Sequence, residues 1–206
     1  MRITFGRKSR IATLGAGLLI AAVVAVSGSG PALADTTDTG GTASLSVPVA
    51  VVAGLAHAKI VMLPATPASS SFDPTSGTNT VTQPVTGGNA EVTNLYGILQ
   101  LGGSLVLINA GNGKSVTVTD MRLNFFTAAL QGKLSGGTSR IALGYVRGIM
   151  STSTNSGPPL TETFTTDEID LSGKAATALN TALGTKVFIR GTDIGAFTTT
   201  FEATIS

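Results

Sequence analysis

The sequence predicts a mainly β protein, an antiparallel β-sandwich that carries two short helices near residues 47–58 and 173–183. Three observations predict it. Residues 84–134 divide into short apolar or alternating runs punctuated by glycine turns such as Gly102-Gly103 and Gly111-Asn112-Gly113. The closing stretch sets Phe197, Thr199, Phe201, Ala203 and Ile205 against Thr198, Thr200, Glu202 and Thr204, the period of two of a half-buried antiparallel strand. Threonine recurs throughout, its branched Cβ favouring strands while its hydroxyl keeps an outer face wet.

At the amino end, Arg2, Arg7, Lys8 and Arg10 precede an apolar run from Ile11 to Val26, and Ala32-Leu33-Ala34 supplies small residues two apart. That is the pattern of a secretory signal peptide over residues 1–34, its apolar core shorter than the roughly 20 residues of a membrane span. The mature chain is then expected to begin near Asp35 and to be secreted, with no membrane span left after cleavage. Removal takes four of the 13 Lys and Arg but none of the 11 Asp and Glu, so the basic pI belongs to the precursor and the mature chain is slightly acidic. The electrostatic footprint of a nucleic-acid binder is missing. With no cysteine, stability rests on packing, and thiol catalysis and Cys-ligated metals are excluded. Residues 43–206 form one domain, long enough to bury about 70% of the unfolded surface.

Residues 35–42, rich in Thr and Gly, read as a flexible leader. Leu45-Ser46, Ala50, Ala56 and Val61 recur 126 residues later as Leu171-Ser172, Ala176, Ala182 and Val187. In each copy the serine is placed to cap a helix. Pro48 falls in the first turn of one, and Gly184 stops the other after an apolar stripe of Ala175, Ala178, Leu179, Ala182 and Leu183. Each helix is expected to lead into a strand, Ile60 to Leu63 and Val187 to Arg190. Between the helices, residues 64–77 read as a connection and Asn79 to Val85 as an edge strand, because Pro84 cannot donate to a ladder. Gly97 to Leu101, Ser104 to Asn109, Ser115 to Thr119, Arg122 to Ala128, Ala129 to Leu134, Arg140 to Val146 and Thr161 to Thr166 read as further strands. Leu105 to Ile108 is apolar at every position, as in a strand covered on both faces. Ser151 to Pro159 reads as a loop.

No set of catalytic or metal-ligating residues stands at a recognisable spacing, and the protein is expected not to be an enzyme. Gly111-Asn112-Gly113-Lys114-Ser115 ends like a phosphate-binding loop, but the leading glycine of that pattern falls on Ile108, inside a strand. Leu63-Pro64-Ala65-Thr66 begins like a sortase signal, but Pro67 replaces its glycine and no apolar tail follows. His57 is the one histidine, with no Gly-x-Ser-x-Gly elbow in the mature chain to meet it. Asp167, Glu168 and Asp170 lack the EF-hand pattern and, standing before a helix, favour its N-terminal dipole. Carboxylates for sugar chemistry would lack the usual stacking platform, because the chain has no Trp. Tyr96 and Tyr145 lie in or beside strands, where packing at the core or rim is the default.

Pro84-Val85-Thr86-Gly87-Gly88, the run Gly97 to Leu105, Val118 to Leu123 and Leu171 to Asn180 resemble the secreted actinobacterial proteins related to the HtaA haem-binding domain. The resemblance covers most of the mature chain through glycine turns and apolar alternation. It implies a β-rich extracellular domain with short helices, at or near the cell envelope. In the haem-binding members a tyrosine near the domain start ligates the iron, and a histidine often precedes the Gly-Gly pair. Gln100 stands near that histidine's place, and no tyrosine precedes Tyr96. An amide is not an axial ligand for ferric iron, so haem, the one cofactor the resemblance brings in, would need Tyr96, Tyr145 or His57 beside Gln100. The expected function is a non-catalytic binding module without a cofactor, its partner a small apolar ligand or an envelope component. The alternative is a structural envelope protein that assembles with itself.

Overall fold

A computed structural model describes residues 38–92, 95–154 and 160–203. Residues 1–34, read as a signal peptide, and Ile205 lie outside them. In chain order the elements are β1 (Asp38–Val47), α1 (Val49–His57), β2 (Ile60–Ala65), β3 (Ser69–Asp73), β4 (Thr78–Gly88), β5 (Ile98–Leu101) and β6 (Ser104–Asn109). There follow β7 (Lys114–Asn124), β8 (Ala129–Leu134), β9 (Ile141–Arg147), β10 (Met150–Thr154), β11 (Leu160–Thr166), β12 (Glu168–Leu171), α2 (Gly173–Leu183) and β13 (Ala196–Ala203).

All of the strand pairs are antiparallel, and the main ladder runs β10-β11-β13-β1-β4-β5-β7-β8-β9-β12. β3 flanks β4, and β2 and β6 extend the sheet beside β7. Two strands turn the corners between the layers of this sandwich. β4 pairs β1 and β3 along its first part and then β5 from Val85 onward, with a bulge between Val85 and Gly87. Bulges are a usual device for moving a strand from one sheet to the next. Gly88 completes this corner at φ +141°, where an added Cβ would stand 2.2 Å from the Ile98 carbonyl oxygen. At the other corner β11 passes through Asp167 into β12, trading β10 and β13 for β9. Three backbone bonds then tie β12 to the segment before β13: Leu171 N–H to Thr192 O at 2.8 Å, Gly191 N–H to Leu171 O at 2.8 Å and Ile194 N–H to Ile169 O at 2.9 Å. The sheet therefore nearly closes on itself.

The predicted class and both helices agree with this structure, while several local expectations do not. Residues 38–42, read as leader, belong to β1, held by pairing with β13 and by the buried Asp38. Leu45 and Ser46 also lie in β1, so Ser46 caps nothing, and α1 begins after Pro48 without a side-chain cap. Ser172 does cap α2, its Oγ accepting from Ala175 N–H at 3.0 Å. β4 is an interior strand. Pro84 is tolerated because its carbonyl accepts from Gly102 N–H, which turns its nitrogen toward the gap between the start of β3 and the end of β5. Ser69–Asp73, read as part of a connection, is strand β3, and Ser151–Thr154, read as the start of a loop, belong to β10, while residues 155–159 lie outside the described ones. β6 buries one face and half-covers the other, and β7 continues through a bulge at Asp120 to Asn124, leaving Phe125–Ala128 as a turn. Val187–Arg190 is not a strand, for a reason that belongs to the site.

The deepest side chains come from both layers: Phe164, Phe197 and Phe201 from one, Leu99, Val116, Leu123 and Ile169 from the other. Phe125 and Phe164 meet edge to face at 4.8 Å, an arrangement aromatic rings favour. Beside this centre α2 lays Ala175, Ala176, Leu179 and Leu183 into the interior, and α1 rests against β2 and β4.

Candidate functional site

The interior is not filled evenly. Between the layers and beneath the two helices lies a cavity of ≈ 580 Å³, within the range of small-molecule sites. One wall is Leu105, Leu107, Val118 and Met121 from β6 and β7; the opposite wall is Leu45, Val81 and Phe197 from β1, β4 and β13. Leu179 of α2 and Leu55 and Gly54 of α1 close over it, together with a strap from Val187 to Ile194. The polar side chains on its lining are Gln83, Arg190, Thr192 and Asp193. Gln83 is anchored, its Nε2 donating to the Gly102 carbonyl at 3.1 Å. Such a wall holds water poorly, and an apolar ligand that displaces it gains about 25 cal/mol per Å² buried.

Two polar devices position this roof. Asn180 of α2 donates from Nδ2 to Phe188 O at 2.8 Å and accepts at Oδ1 from Phe188 N–H at 3.1 Å. Its amide stands in for a neighbouring strand, which is why the apolar run at 187–190 stays a strap instead of joining the ladder. At the far end of α2, Asn109 and Asn112 each donate from Nδ2 to Leu183 O at 2.9 Å, and Gly184 ends the helix at φ +62°. The glycine-rich β6–β7 turn is thus also the C-cap of α2. α1 differs in kind: VAVVAGLAH has no charge before its last residue, yet no residue of it is buried. It is an apolar lid with one face on the cavity and Val49 at its other side 53% exposed.

None of the four residues singled out from sequence lines this cavity. His57 is exposed in the last turn of α1, and Tyr96 is exposed in a bridge with Glu91. Gln100 lies exposed on β5 opposite Gly87 and Arg122. Tyr145 on β9 borders a smaller polar pocket with Arg140, Lys174 and Arg190. Gln100 and Tyr145 point away from the core on the same sheet with two strands between theirs; the structure does not otherwise bring the four together. The substitute donors Tyr96, Tyr145 and His57 do not fit a haem site in this chamber, because none of them lines it.

The acidic groups have structural partners. Asp167, Glu168 and Asp170 stand before α2 but outside its first turn, and Glu168 and Asp170 lie on β12, where Arg147 of β9 pairs with both. Asp120 at the β7 bulge is held by Lys133 at 2.9 Å and by Arg140. Burial would raise its carboxyl, but those two cations outweigh it and hold it below the usual value. Asp38 and Glu162 are buried at the end of the sandwich where residues 89–92 tuck in. Asp38 Oδ2 accepts from Ala90 N–H at 2.8 Å and Glu162 Oε2 from Val92 N–H at 3.0 Å. Burial pushes both carboxyls up against the effect of those bonds, and the charges of Asp38 and Glu91 add to the rise at Glu162. This is a buried carboxylate pair, but it is committed to backbone and stands off the cavity lining.

The fold and interior define a nearly closed antiparallel β-sandwich with an apolar chamber under two helices. A solved structure of this architecture is the C-terminal domain of HtaA from Corynebacterium glutamicum, with a TM-score of 0.55 at 13% identity over 81% of this chain and 98% of that one. At that identity the likeness is one of fold, and the fold is HtaA-like. No family model and no curated protein matches the sequence.

Proposed function

We propose that this protein is a non-catalytic binding module, secreted or held at the cell envelope, that carries a small apolar molecule in the chamber beneath α1 and α2. The observation that carries the reading is the 580 Å³ cavity, walled by aliphatic side chains from both layers and roofed by an apolar helix. The sequence pattern of a signal peptide and the likeness to a domain of HtaA support the extracellular setting. A module of this kind needs no reacting groups; it needs an apolar interior and a roof that can part.

Gly54 supplies the test. It lines the cavity from α1, and an added Cβ there meets nothing within 4 Å. Gly54→Leu therefore introduces its Cβ without a clash, takes up part of the chamber under the roof, and replaces a glycine inside a helix, which adds about 0.5–1 kcal/mol of stability. The wild-type protein is expected to bind the neutral probe N-phenyl-1-naphthylamine saturably, with the fluorescence rise of an apolar site. Gly54→Leu is expected to weaken that binding while melting no lower. No saturable binding by wild type, or equal binding by the variant, refutes the reading. Sedimentation over a range of concentrations separates it from a self-assembling structural protein, which would grow in mass with no ligand present.

A further inference from the structure

Resting on that reading, we propose that the ligand is an amphiphile with one acidic head, its apolar chain in the cavity and its head held by Arg190. Arg190 is the one residue on the lining of both the apolar cavity and the smaller polar pocket beside it. Its side chain lies across the start of α2: a Cβ on Gly173 would stand 3.3 Å from Arg190 Cδ and 3.7 Å from Cγ. The aliphatic stem is thus laid on backbone at the boundary of the two spaces, the division of labour a long cationic side chain favours.

The charges around that boundary are unbalanced. The polar pocket is lined by Arg140, Lys174 and Arg190 with no carboxylate. Arg140 is matched by Asp120, whereas among the described residues neither Lys174 nor Arg190 takes part in an ion pair. Asp193 is the acid on the cavity lining, and its Oδ1 already accepts from Gly195 N–H at 2.8 Å. A ligand that brings its own anion supplies the missing charge, and a guanidinium is the side chain best shaped to meet an oxyanion. The cavity has room for about twenty methylene-sized groups at ~30 Å³ each, which suits a long single chain. A carboxylate and a phosphate monoester share this head-group chemistry.

The experiment is displacement of N-phenyl-1-naphthylamine from the full-length protein by palmitic acid, its methyl ester and hexadecyl phosphate, repeated with Arg190→Gln. In wild type one or both anions are expected to bind about tenfold tighter than the ester, the size of a charge-assisted hydrogen bond at a partly wet site. Tighter binding by the acid or by the phosphate tells which head is preferred, and either supports the assignment. In Arg190→Gln that advantage of the anions over the ester should fall to about twofold or less. Equal displacement by anions and ester in wild type, or an advantage that survives Arg190→Gln, overturns the head-group assignment alone. Failure of the probe itself to bind overturns the cavity reading and this inference with it.

Discussion

Among single residues, the buried carboxyls carry the clearest pH signature. Asp38 and Glu162 have folded pKa values raised above their unfolded ones, chiefly by burial. The folded state therefore holds their protons more tightly, and their contribution to stability is complete below the ordinary carboxylate range. It is lost as pH rises through the raised values. Gln at position 162 keeps an oxygen for Val92 N–H without the charge. Glu162→Gln is accordingly expected to melt higher than wild type at neutral pH, with the difference vanishing near about pH 4. Thermal melts at both pH values check it, and an equal shift at both would refute it. Asp120 works in the opposite sense, contributing above its unfolded pKa and losing that contribution as pH falls through its lowered one. Neither buried acid was legible in the sequence. Asp38 sits in a stretch with the composition of a leader and Glu162 alternates with threonines like a solvent-facing residue; only the plug at 89–92 gives each a reason to turn inward.

The elements show where local signals suffice. α2 begins and ends where its serine and glycine place it, because an N-cap and a left-handed C-cap are satisfied within a few residues. The apparent repeat put Ser46 in the same role, but there the chain is paired on both sides, with β13 and β4, and a ladder outbids a cap. Ser172→Ala is therefore expected to cost about 1–2 kcal/mol, since Ser172 Oγ also donates to Ala142 O. Ser46→Ala should stay within about 0.5 kcal/mol. Urea titrations of the two variants measure the contrast, and equal costs would contradict the assignment. Val187–Arg190 was read as the strand following the second helix of the apparent repeat, and the amide of Asn180 fills the bonds a strand partner would have made.

For the molecule as a whole, the chamber couples binding to stability. A ligand that enters only the folded state stabilises it by an amount set by its excess over Kd, about 2.7 kcal/mol at a hundredfold excess. Palmitic acid at that excess is expected to raise the melting temperature of wild type by several degrees and that of Gly54→Leu by less. A shift of the same size in both would place the fatty acid outside the chamber. By itself the sequence determined what is encoded locally: the β class from period-two alternation, the hairpin at 109–114 and α2 with its caps. Only the tertiary structure decided that β4 and β11–β12 turn corners to close the sheet, and that Gly54, Val118, Leu179 and Arg190 face one space. The reason is physical. Caps and alternation are settled over a few neighbouring residues, whereas a cavity is the space left by side chains distant in sequence, and no single stretch of chain encodes it.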